Sequence, residues 1–180
     1  MPGGKLSQGR PLTQTVWFNA VWFQTTWFCA VLGRDALLPF TAGLILLHLY
    51  LVPNRLREFR QLGLVALAGI LVDAALSALG LFNFANDALV PLWLCGLWLA
   101  FATTFNRSLA FLADRRWLAV LAGALVVPFN YGIGASVGAV EFGYSLPVSF
   151  TIMGVVWAIL LPSLYLLVAH LDTCDGGRQS

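Results

Sequence analysis

The sequence predicts an all-α protein, a polytopic bundle of about six transmembrane helices with both termini on the cytoplasmic side. Three observations carry that expectation. Apolar residues fill 59% of the 180 positions and charged residues only 10%, where soluble domains carry about 25% charged residues because their surface faces water. Mean hydropathy is +0.83. The apolar residues also gather into six runs, 15–33, 36–52, 62–82, 88–112, 117–140 and 147–171, each 17 to 25 residues long. A helix needs roughly 20 residues to cross roughly 30 Å of hydrocarbon.

The runs are helices rather than strands, because lipid offers no partner for backbone polar groups and a membrane strand needs only about 10 residues. Only two charged side chains fall inside them, Asp73 and Arg107. Orientation follows from the basic residues. With the N-terminus inside, the inner segments hold Lys5, Arg10, Arg55, Arg57, Arg60, Arg115, Arg116 and Arg178, and the outer loops hold only Arg34. This is the positive-inside pattern for N-in and C-in. Residues 1–14 and 172–180 are then cytoplasmic tails, and 15–171 form the bundle. Lys5 and Arg10 ahead of an apolar run have the charge pattern of a signal peptide. The run is aromatic-rich and lacks a small-residue cleavage site, so it reads as a retained first helix. In the fifth run, Pro128 with Gly132, Gly134 and Gly138 predicts a kinked continuous helix, with a broken or re-entrant segment as the alternative. Gly134 and Gly138 also have the spacing of a close helix-packing motif.

Composition excludes several functions. A net charge of +2 without a long basic run argues against nucleic acid. Cys29, Cys95 and Cys174 have no paired spacing, so they read as structural thiols rather than a metal site. His48 and His170 end the second and sixth runs and read as interfacial side chains rather than haem ligands. No cofactor and no metal are expected, and no hydrolase, zincin or phosphate-loop pattern occurs.

Asp73 is the foremost candidate site residue. An intramembrane carboxylate costs roughly 2.5–3.5 kcal/mol on insertion scales and marks function by default. Arg107 is its expected partner. Counted from the cytoplasmic ends of their runs, the two lie about 17 Å and about 8 Å deep. An ion pair locking two helices, or an arginine snorkelling to the rim, are the structural alternatives. Asn19, Gln24, Asn106, Asn130 and Tyr131 join them as candidates for one buried polar cluster, since unpaired amides in lipid are costly. In the first run Trp17, Trp22 and Trp27 recur at five-residue spacing within Trp-Phe pairs. They read either as bulky packing and lipid contact or as an aromatic wall for an elongated apolar ligand.

Trp17-Phe18-Asn19, Asp73 followed by Gly80-Leu81-Phe82, Pro91-Leu92-Trp93, Asn106-Arg107-Ser108 and Pro128-x-x-Tyr131 resemble an uncharacterised bacterial inner-membrane family, a domain of unknown function, over nearly the whole chain. In that family histidine is common at the place of Arg107. The resemblance implies a bacterial inner-membrane location and a neighbourhood of lipid-modifying enzymes. The expected role is a non-catalytic membrane component that binds or presents a lipid-like molecule. Its expected partners are membrane lipids and a lipid-modifying enzyme, and self-association is compatible with its small size. A small secondary transporter using Asp73 as a proton or cation site is the rival, and an intramembrane enzyme ranks last.

Overall fold

The computed structural model describes residues 15–176. The first run forms α1 (Val16–Gly33), opened by Thr15, whose hydroxyl accepts from the Phe18 amide at 3.3 Å. A 3-10 turn, Arg34–Leu37, leads into α2 (Leu38–Leu51), with a proline in its first turn. Arg34 has φ 47°, a left-handed conformation that breaks the helix. The chain then folds back on itself. Asn19 at the start of α1 touches Thr103, Thr103 touches Arg107, and Arg107 and His48 share Glu58. The first turn of α1 and the last turn of α2 are thus at the same end of the molecule.

Helix α3 (Arg55–Ala78) is capped by Asn54, whose Oδ1 accepts from the Arg57 amide. It begins two turns before the expected apolar boundary at residue 62. Leu62, Val65, Ala66, Gly69, Asp73 and Leu76 form its buried stripe, at the spacing of one helical face. After α3 come a two-residue strand β1 (Phe82–Asn83) and α4 (Leu92–Ala102). Helix α5 (Arg116–Leu121), a π turn at Ala122–Val126 and α6 (Val127–Ser136) follow as one helical run. Strand β2 (Glu141–Phe142) pairs antiparallel with β1, Phe82 opposite Phe142, and α7 (Leu146–Gly176) completes the chain. Helix α7 continues past the expected boundary at 171. The expected tail 1–14 and residues 177–180 lie outside the described residues.

Helix count departs from the expected six. Among the described residues four segments are long and apolar enough to cross a membrane: Val16–Leu51 taken as one helical stretch, Arg55–Ala78, Arg116–Ser136 and Leu146–Leu171. The fourth run yields only the 11-residue α4. Its apolar character continues, but its helical geometry does not. Thr103 and Thr104 turn their hydroxyls back onto the Ala100 and Phe101 carbonyls, at 2.7 and 2.6 Å. Such side-chain bonds compete with the helical ladder. The fifth run is continuous through residue 136, with a π turn before Pro128 in place of a simple kink.

Helices α3 and α6 end alike. Gly80 and Gly138 have φ of 77° and 71°, the conformation glycine adopts freely. Each is followed by a reverse bond onto its helix, Leu81 N to Leu76 O and Ala139 N to Gly134 O, a standard way to satisfy terminal carbonyls. Gly138 is therefore a helix terminator and not half of a helix-packing motif. The two glycines launch β1 and β2 toward each other. Large apolar side chains such as Leu46, Leu67, Leu71, Val155 and Ile159 face outward, as lipid-facing positions do.

Candidate functional site

Two separate polar sites are built in the bundle. The first sits where α1, α2, α3 and the segment after α4 meet. Glu58 Oε1 accepts from His48 Nε2 at 2.7 Å and from Arg107 Nη1 at 2.6 Å. Arg107 also donates to the Thr103 carbonyl. Asn106 Nδ2 donates to Gln61 Oε1 at 2.6 Å, and Gln61 donates to the Ala102 carbonyl. Asn19, only 2% exposed, donates to Thr103 and accepts from the amide and hydroxyl of Ser108. Apart from the Arg107–Thr103 bond, each bond of this network joins a helix to the stretch 102–108, or one helix to another. It closes one end of the bundle and supplies the backbone partners that α4 gives up by ending early.

The second site is Asp73, fully buried toward the C-terminal end of α3. Its Oδ2 accepts from Trp98 Nε1 and from the Tyr131 hydroxyl, both at 2.7 Å, while Oδ1 has no hydrogen-bond partner among the described residues. Gly69, one turn before Asp73, makes this geometry possible: a side chain there would overlap the Trp98 ring. Trp98 stacks on Trp157 at 5.2 Å with 7° between planes, and Tyr131 stacks on Phe82 at 4.9 Å and 6°. The carboxylate is thus held by two donors whose rings are themselves clamped.

On the other side of Trp98 and Tyr131 lies a cavity of about 260 Å³, near the lower end of the range for small-ligand sites. Four helices wall it, Trp157 of α7 joining the three sets that follow. Helix α1 contributes Phe23, Trp27 and Val31, α4 contributes Trp93, Leu97, Trp98 and Phe101, and the π turn with α6 contributes Val126, Asn130, Tyr131 and Gly134. Each set spans eight residues, so the slot is about 12 Å tall at 1.5 Å per residue. No charged side chain lines it among the described residues. Arg34 joins the α1–α2 turn to the end of α6 by donating to the Val137 carbonyl at 2.9 Å, a cation at a helix C-terminus.

The expected pairing of Asp73 with Arg107 is not made. Glu58, 15 residues and about 22 Å back along α3, takes the arginine instead. Asn19, Asn106 and Arg107 belong to the first site; Asp73 and Tyr131 belong to the second, and Asn130 lines the cavity. Gln24 is exposed and joins neither site, and Trp17 is 82% exposed. Trp22 packs on Phe18. Of the three tryptophans proposed as a wall, Trp27 lines the cavity, four residues from Phe23 and four from Val31. A 3.6-residue period would have selected these positions, whereas a five-residue spacing does not. His48 is buried and paired with Glu58. Glu58 and Gln61 carry no apolar signal because they precede residue 62, in a stretch rich in Arg that hydropathy assigns to a loop. Trp98 and Trp157 carried no signal beyond being aromatic.

Cys29 and Cys95 are free thiols, and no group of three metal-ligating side chains occurs among the described residues. A family model described as "Protein of unknown function (DUF2878)" matches residues 16–163. No curated protein and no solved structure matches the chain.

Proposed function

The chain belongs to this family of unknown function, and from that premise we propose that it is a multi-pass protein of the bacterial inner membrane that binds a lipid-like molecule between α1 and α6. The observation that carries this reading is the cavity itself, a tall aromatic slot of about 260 Å³ with no charged lining among the described residues. A slot of that composition suits an elongated apolar chain and repels ions, which would lose their hydration without compensation. The end holding Glu58 and Arg107 is the cytoplasmic one, since Arg55, Arg57, Arg60, Arg115 and Arg116 cluster there in sequence. The protein presents its ligand to envelope lipid-modifying enzymes. Mass spectrometry of lipids extracted with the purified protein tests the binding. Selective enrichment of one neutral species over the bulk membrane is expected, reduced by Trp27→Ala; an extract matching the bulk membrane in both proteins would refute it.

One observation favours a second reading, that of a proton-coupled carrier. Asp73 Oδ1 is buried with no hydrogen-bond partner among the described residues, which leaves an acceptor for a proton inside the bundle. In that case Asp73→Asn in vesicles abolishes pH-driven movement of the cargo while leaving its binding intact. Equal transport by both proteins discards the carrier.

A further inference from the structure

We propose that the molecule held in the cavity is a neutral lipid alcohol, anchored by a hydrogen bond from its hydroxyl to Asn130. This rests on the cavity being a lipid site, and it names the chemistry that site selects. Among the described residues Asn130 is the one amide side chain in the lining. Its Nδ2 is committed to the Val126 carbonyl at 2.8 Å, which fixes the orientation of the amide and leaves Oδ1 accepting no hydrogen bond among the described residues. A carboxamide oxygen in apolar surroundings calls for a donor.

The rest of the lining narrows the donor. No lysine, arginine or histidine faces the slot among the described residues, so a carboxylate or phosphate entering it would have no counter-charge, and the Asp73 carboxyl lies directly behind Trp98 and Tyr131. Trp27 and Trp93 also line the slot, and indole N–H groups only donate. A hydroxyl can donate to Asn130 and accept from an indole with the same oxygen, which an ammonium group cannot. The 12 Å height leaves the remainder of the ligand as an apolar chain stacked between aromatic faces.

Three probes of one skeleton separate the alternatives: geranylgeraniol, its methyl ether and geranylgeranoic acid, each titrated into the full-length protein in lipid nanodiscs with tryptophan quenching as readout. The alcohol is expected to bind about tenfold more tightly than the ether, the value of one hydrogen bond, and the acid most weakly. Asn130→Leu should bring alcohol and ether to the same affinity. Retained binding of the ether shows that this variant is folded, since Asn130 is only half-buried and its one bond is local. An ether equal to the alcohol in the unaltered protein, a preference surviving Asn130→Leu, or tightest binding of the acid would each overturn the hydroxyl anchor while leaving a lipid site standing. If none of the three binds, both the anchor and the lipid site are lost.

Discussion

Asp73 accepts two hydrogen bonds on one oxygen, and each donor belongs to a different helix. Replacing it separates charge from geometry. In Asp73→Asn the amide oxygen still accepts from Trp98 and Tyr131, so thermal unfolding in detergent should change by less than about 1 kcal/mol. Asp73→Leu orphans both donors in a dry interior, at about 1–3 kcal/mol each, and should lower the midpoint markedly. Equal loss in both variants would mean that the carboxylate's charge, rather than its role as acceptor, holds the site. Asp73 was legible in the sequence because an acid inside an apolar run stands out. Its partners were not. Trp98 and Tyr131 lie 25 and 58 residues away, and nothing local marks which of seven tryptophans will find a carboxylate. Arg107 was misassigned for a related reason. Its partner Glu58 precedes the apolar run and is carried inside by two extra turns of α3.

Where the π turn meets α7, a Cβ at Gly123 would overlap the Trp157 carbonyl oxygen, and one at Gly154 would sit 3.0 Å from the Ala124 carbonyl. Two backbones are in contact here, which is how small residues hold membrane helices together. Gly123→Ala must push α7 away and carry Trp157 off Trp98. The expected outcome is a loss of more than about 2 kcal/mol, with a shift in tryptophan emission as the stack opens. An unaltered spectrum and midpoint would refute this contact. The helical nature of these segments was legible from run length alone, and so was the disturbance near Pro128. The helix ends were not. Hydropathy treats threonine and glycine as mild, so it did not register that Thr103 and Thr104 stop α4 or that Gly80 and Gly138 terminate α3 and α6.

For the molecule as a whole, the two ends have different chemistry. One holds the network around Glu58, and the other holds the β1–β2 pair and the Arg34 bond to Val137. Sidedness can be read by maleimide labelling in a background with Cys29, Cys95 and Cys174 replaced by serine. Asp87→Cys and Tyr144→Cys should react with an impermeant reagent from outside intact cells. Asn54→Cys and Asp114→Cys should react only after lysis. Reaction of the second pair in intact cells would invert the bundle. Bulk measures such as composition and charge placement made the membrane habitat legible, but they are blind to what the interior is made of. The π turn shows how far that blindness goes. It wraps one residue more than a regular turn, and that surplus sets the angle at which Tyr131 leaves its helix. Deleting Ala124 would rotate everything downstream in α6 by about 100°, leaving hydropathy, charge and length of the run essentially as before. The hydroxyl would then point away from Asp73, so two proteins indistinguishable by any profile of oiliness would differ in whether they possess a site at all.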